Sequence, residues 1–173
     1  SLLARESIRY DPKIVKIMQK LWHVYDSDGS GFIDEEEYVV INKLVQRVLM
    51  ADFSPSKAET VAREDWAQDC GGYFELNYER FSTCWFQLVD LWTSDISVES
   101  YYRFLFEALE CMSFVEKVGK KSVRRLRPPH AIINLKVYRR EKKKGRLAKA
   151  RLMNTKGIWA MSLTSSSHKH EKH

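Results

Sequence analysis

The chain has 173 residues and a net charge of +6, a length that suits one domain with an appended segment or two very small domains. The charge is unevenly distributed: residues 1–116 carry 11 Lys and Arg against 21 Asp and Glu, whereas residues 117–173 carry 18 against 2. No apolar run reaches the ~18–20 residues needed to span a bilayer, and no secretory signal opens the sequence, so we expect neither a membrane-spanning nor a secreted protein. The three cysteines lack metal-site spacing and indicate a reducing, cytoplasmic setting.

Two predicted helices in the acidic half flank a polar loop. A short lead-in precedes Asp11 and Pro12, where the aspartate can cap a helix and the proline suits its first turn. Apolar residues then recur at three- and four-residue spacing up to Tyr25, which predicts an amphipathic helix. The same spacing resumes at Tyr38 and predicts a second helix that ends near Met50.

Residues 26–37, between these helices, have the spacing of a twelve-residue calcium loop. Gly31 at the sixth position permits the left-handed turn that folds such a loop around an ion. Hard cations take oxygen donors, here from alternate side chains, one backbone carbonyl and a closing carboxylate that can bind through both oxygens. The candidate metal ligands are Asp26, Asp28, Ser30, Phe32 (through its carbonyl), Asp34 and Glu37.

The helix-loop-helix pattern resembles the EF-hand superfamily over residues 11–50. This resemblance implies one bound Ca²⁺, with Mg²⁺ as an alternative occupant at rest. It also implies a second hand beside the first, and residues 55–92 are identified as a degenerate one.

The loop of the degenerate hand lacks ligands in the register that pairs it with the first. EF-hand loops pair through their eighth residue, so Leu76 is set opposite Ile33 and the loop spans residues 69–80. The fifth position is then Tyr73, and Arg80 puts a positive charge where the closing carboxylate belongs. We expect this hand to support the first one and to bind no ion.

Residues 98–118 are predicted as an additional helix that is apolar on nearly every side, as is typical of a helix buried on several faces. Two interpretations stay open. The helix fills the apolar groove between the two hands, which is favoured, or it contacts a partner protein. Residues 1–116 are thus expected to form the EF-hand domain.

From residue 117 the chain is predicted to be an extended basic tail with too few apolar residues to form a core of its own. Alternating apolar residues at 133–137 predict either a short strand or an extended binding segment within it. The predicted fold is therefore mainly α: a paired EF-hand domain, an extra helix and the tail 117–173. The candidate partner-binding residues are Lys120, Lys121, Arg124, Arg125, Arg127, Arg139, Arg140, Lys142, Lys143, Lys144 and Trp159.

These features favour a binding protein over an enzyme, since no phosphate-binding glycine loop, zinc motif or paired nucleophile and base is present. Residues 74–105 are also similar to EF-hand proteins of cilia and flagella. That resemblance implies a calcium-binding adaptor or structural protein of the cytoskeleton, located in an axoneme. Its basic tail would bind an acidic protein surface, with tubulin in the microtubule as the preferred partner, and no small-molecule substrate is expected.

Two other functions remain open at this point. The chain could be a soluble calcium sensor whose basic tail is autoinhibitory or binds a target. The least favoured hypothesis is that the tail binds nucleic acid or an anionic membrane, because no nucleic-acid-binding fold or lipidation signal accompanies it.

Overall fold

The structure, a computed structural model, describes residues 2–145. Within that range the chain is mainly helical, as predicted, with one small antiparallel sheet. The elements in chain order are α1 (Leu2–Arg9), α2 (Pro12–Tyr25), α3 (Glu35–Leu49), α4 (Pro55–Cys70), α5 (Tyr78–Trp92), α6 (Val98–Met112), β1 (Ser113–Val118), β2 (Lys121–Leu126) and α7 (Leu135–Lys143). None of the helices between residues 2 and 145 combines the length and apolarity needed to cross a membrane.

Short polar side chains determine where most of these helices begin. Each accepts a hydrogen bond from a backbone N–H of the first turn, which would otherwise lack a partner. Asp11, Asp34, Asn77, Ser97 and Asn134 act in this way before α2, α3, α5, α6 and α7. The helices flanking residues 26–34 therefore have boundaries that are encoded locally.

Helix α6 lies in the centre of the hydrophobic core. Tyr101, Phe104, Leu105 and Leu109 are each at most 1% exposed, and α6 packs against α2, α3 and α5. Leu135 of α7 belongs to the same core. The burial of α6 on several faces thus comes from packing against the other helices of the described chain.

The structure corrects the predictions for residues 113–145. The additional helix ends at Met112 rather than at residue 118, because residues 113–126 form an antiparallel hairpin. Its two-residue turn starts with Gly119 at φ 63°, a conformation that favours glycine and matches the twist of paired strands. The predicted strand at 133–137 is wrong as well: Asn134 caps α7, whose Leu135 and Tyr138 are buried three residues apart.

The predicted extended path is therefore wrong for residues 117–145. These residues fold back onto the helical core, because arginine side chains of the basic segment are paired with groups of α6 and β1. The remainder of the predicted tail, including Trp159, lies outside the described residues.

Candidate metal-binding loop and basic surface

The first candidate loop connects α2 to α3 and begins with a carboxylate that faces the loop. Asp26 is 8% exposed, and its backbone N–H donates to the Trp22 carbonyl at the end of α2. Its Oδ2 accepts a hydrogen bond from the Gly31 N–H at 3.0 Å. Gly31 has φ 83°, a left-handed conformation that a side chain would strain. The position-1 carboxylate is therefore held by the glycine turn that the sequence singled out.

Three more predicted donors lie near this carboxylate. The Ser30 hydroxyl oxygen is 3.1 Å from Asp26 Oδ1 and 2.8 Å from the Phe32 carbonyl oxygen. Asp28 Oδ1 accepts the Ser30 N–H at 3.1 Å. This backbone hydrogen bond first, and then the Asp26 carboxyl, lowers the pKa of Asp28. The structure thus brings together four of the six predicted ligands.

The other two predicted ligands form the N-terminal cap of α3. Asp34 Oδ1 accepts the Glu37 N–H at 2.9 Å, and Glu37 Oε2 accepts the Asp34 N–H at 3.0 Å. This reciprocal pair is a capping box. Across residues 2–145 no three His, Cys, Asp or Glu side chains are grouped as a ready-made metal site. Glu37 would have to leave its cap bond in order to serve as a ligand.

The donor set nevertheless fits a hard divalent cation in its chemistry. Every candidate group is an oxygen, supplied by four carboxylates, one hydroxyl and one backbone carbonyl. Calcium accepts six to eight such donors in flexible geometry, whereas soft metals select thiolates or imidazoles. The convergence on the Ser30 hydroxyl is the structural observation that supports the fit.

A two-way backbone hydrogen bond joins this loop to the loop between α4 and α5. The Ile33 N–H donates to the Leu76 carbonyl at 2.9 Å, and the Leu76 N–H returns a bond of 2.9 Å. The bridge is antiparallel, and both side chains are at most 1% exposed. The pairing register inferred from the sequence matches this contact.

Asp69, the first residue of the predicted second loop, lies in the last turn of α4 and is bonded to a group outside that loop. The Tyr38 hydroxyl of α3 donates to Asp69 Oδ2 at 2.6 Å, so the carboxylate connects α4 to α3. Burial raises the pKa of Asp69, and the hydrogen bond from Tyr38 partly opposes that rise. Sequence reasoning missed this link. Its only signal was that Tyr38 directly follows the closing glutamate.

The arginines among the predicted partner-binding residues mostly bind groups of the fold itself. Arg127 is only 3% exposed, with its Nε 3.2 Å from a backbone carbonyl oxygen of α6. Arg124 and Arg139 pair with Glu110 and Glu107 of α6 at 3.4 and 2.8 Å. Two further pairs are Arg125 with Glu116 at 2.8 Å and Arg140 with Glu141 at 3.8 Å. Arg127 is thereby corrected from a surface residue to a buried one.

The predicted lysines are exposed, as are Arg125, Arg139 and Arg140 despite their ion pairs. Lys120 and Lys121 lie at and beside the hairpin turn, Lys142 and Lys143 end α7, and Lys144 follows them. A compact ammonium on a flexible stem remains hydrated at such positions. Among the predicted partner-binding residues that the structure describes, Arg127 is thus buried and Arg124 partly buried, whereas the others face solvent.

No protein-family model, curated protein or solved structure matches the chain.

Proposed function

We propose that residues 11–92 are a pair of EF-hands in which the first loop binds one Ca²⁺ and the second binds none. The observation that carries the proposal is the reciprocal hydrogen bonding of Ile33 and Leu76. It sets the two loops side by side, so that one loop is braced by the other. The convergence of four predicted ligands in the first loop supports the assignment of the ion to that loop.

In this proposal each predicted ligand has a separate role. Asp26, Asp28 and Ser30 bind the ion through side-chain oxygens, and Phe32 binds it through its carbonyl. Asp34 binds directly or through a water molecule, and Glu37 closes the site with both carboxylate oxygens. Mg²⁺ is the competing ion at rest, although it requires near-octahedral geometry.

Isothermal titration calorimetry of the full-length chain with Ca²⁺ tests the metal assignment. Glu37→Gln should abolish calcium binding, because the amide supplies one neutral oxygen in place of two charged ones. Glu36→Gln is the matched control: its carboxylate is 76% exposed and bonds Arg63 rather than the loop. The native protein should bind one ion. Two bound ions, or unchanged binding in the Glu37 variant, would contradict the proposal.

We further propose that the protein is an adaptor or structural protein that binds an acidic protein surface through its exposed lysines. Tubulin in the microtubule, and hence the axoneme, is the preferred partner. Exposure of Lys120, Lys121 and residues 142–144 supports this, because rim charges guide association with an oppositely charged surface. The proposal assigns no enzymatic activity to the chain.

Co-sedimentation with microtubules tests the partner, using triple lysine variants of equal charge. Replacing Lys142, Lys143 and Lys144 by glutamine should weaken binding at low salt. Replacing Lys13, Lys16 and Lys20, which are exposed on α2, removes the same charge from another surface and should leave binding nearly unchanged. No sedimentation of the native protein, or equal loss in both variants, would contradict this half of the proposal.

One observation favours a calcium sensor as a second candidate function. A groove of about 450 Å³ lies between α3, α4 and α5 and includes Val45, Leu88, Leu91 and Trp92 in its lining. Leu91 is 82% exposed, and large exposed apolar residues beside a groove are typical of a target-binding surface. Calcium-dependent binding of a basic amphipathic peptide, with a change in tryptophan fluorescence, would favour the sensor over the anchored adaptor.

A further inference from the structure

Arg80 spans the second loop with two contacts that the sequence did not predict. Its Nη1 donates to the Glu75 carbonyl oxygen at 3.0 Å. Its guanidinium carbon lies 3.5 Å from the centre of the Tyr73 ring. The backbone N–H of Arg80 donates to Asn77 Oδ1 at 2.9 Å, which fixes the arginine in the first turn of α5.

The register of the loop pair shows which positions these contacts join. When both loops are numbered so that Leu76 is equivalent to Ile33, Glu75 is equivalent to Phe32, Tyr73 to Ser30 and Arg80 to Glu37. In the first loop these are the seventh, fifth and twelfth positions, which are all predicted ligand positions. Arg80 therefore directs a positive charge from the closing position to the carbonyl at position 7 and to the face of the ring at position 5.

We propose that the Arg80 guanidinium is a built-in cation that performs the structural role of the missing ion in the second loop. It holds this loop in the paired conformation at any calcium concentration, and through the Leu76–Ile33 bridge it raises the calcium affinity of the first loop. The part concerning affinity rests on the proposed function. Arg80 is a positioning residue, since it would act through its contacts with Glu75 and Tyr73 of the second loop.

The chemistry of arginine suits this role better than that of lysine. A guanidinium is planar, so it can stack on a ring while its edge donates a hydrogen bond. Its charge also strengthens a hydrogen bond to a carbonyl oxygen and the attraction to the ring face. The Cys70 thiol donates to the Tyr73 carbonyl, which fixes the same turn from its other side.

The first arm of the test measures the loop bridge without calcium, by amide hydrogen exchange at Ile33 and Leu76. Arg80→Met keeps the aliphatic stem and removes the charge, so exchange should accelerate about three- to tenfold, as expected for loss of one exposed cation–ring contact and its hydrogen bond. Arg47→Met is the matched control, because Arg47 also stacks on a ring, Phe53 at 4.3 Å, but away from the loops. Unchanged exchange in the Arg80 variant, or equal acceleration in the control, overturns the proposal.

The second arm measures calcium affinity by calorimetry on the same variants. Arg80→Met should lower the affinity about three- to tenfold with the stoichiometry still one. Arg80→Lys should recover only part of the loss, and Tyr73→Leu should act in the same direction more weakly. Unchanged affinity in Arg80→Met overturns the coupling of the loops. If the native protein binds no calcium, the proposed function fails, while the exchange arm still decides whether Arg80 braces the second loop.

Discussion

The two loops share a bridge but differ in almost everything around it. In the first loop, Gly29 and Gly31 have positive φ and the Asp26 carboxylate faces inward. In the second loop, the positive-φ residues are Gly71 and Gly72, directly after α4. The second loop therefore turns nearer to its first residue than the first loop does. The corresponding carboxylate there is bonded to a tyrosine of α3 instead of its own loop.

This difference shows that the loops pair through residues other than the proposed ion ligands. The bridge is made by backbone groups and by two apolar side chains that are completely buried. The ligand positions of both loops lie mostly on the surface, where substitutions have small effects on folding. Under the proposed function, the second loop can therefore lack ion ligands and still support the first.

The largest expected effect comes from breaking the shared bridge at its side chains. Leu76→Ala leaves a cavity between the loops and should lower the free energy of unfolding by about 2–5 kcal/mol. Urea denaturation gives this value from the shift of the midpoint at constant slope.

Phe74→Ala is the control for that substitution, because it lies in the same loop and is 94% exposed. Its effect should stay within about 0.5 kcal/mol. If both variants lose similar stability, the buried bridge is not what holds the two loops together.

A smaller effect on the free energy of unfolding is expected from the side-chain hydrogen bond that links α4 to α3. Tyr38→Phe removes the hydroxyl that donates to Asp69 at 2.6 Å. A half-buried carboxylate then loses a hydrogen-bond donor, which should cost about 1–2 kcal/mol of unfolding free energy at neutral pH. Tyr10→Phe, at a residue 70% exposed, should change little.

The pH dependence of the same variant gives a second measurement. Because burial raises the pKa of Asp69, folding is favoured by its protonation below the ordinary Asp value of about 3.9 and loses that contribution as pH rises through the raised pKa. Removal of the Tyr38 hydroxyl raises this pKa further, since the hydrogen bond lowers it. The stability difference between the native protein and the variant should therefore shrink on acidification. A difference independent of pH would show that Asp69 is not the group involved.

Sequence reasoning was most successful where the determinants are local. Pro12 begins α2 and α3 ends beside Met50, where the sequence placed these boundaries, because proline, capping residues and apolar spacing act within a few residues. The convergence of Asp26, Ser30 and Phe32 follows from the same short-range logic. Glycine at the sixth position specifies the turn that brings them together.

Sequence reasoning failed where a distant partner decides the structure. Arg139 looks like a solvated tail residue until α6 presents Glu107, whose side chain is 4% exposed. The hairpin is stabilised by the same kind of contact, Arg124 with Glu110 and Ser113. Basic composition predicted an extended tail there, because composition does not report which acidic groups a folded core leaves for pairing.

The smallest effect on stability is expected from the exposed ion pairs that join α4 to α3. Arg63 of α4 contacts Glu35 at 2.9 Å, Glu59 at 3.0 Å and Glu36 at 3.1 Å, and these three carboxylates raise its pKa. Because all of these groups face solvent, salt screens their attraction. Arg63→Gln should lower the melting temperature slightly at low salt and have no effect in about 1 M salt.

Arg103→Gln, at an exposed position on α6, controls for the loss of one positive charge. We expect the buried bridge to contribute most to the association of the two loops and surface charge to contribute little. A salt-resistant loss in Arg63→Gln as large as that of Leu76→Ala would reverse this order. The two loops would then be held together mainly by the exposed ion pairs between α4 and α3, and the bridge would be a consequence of the docking of these helices.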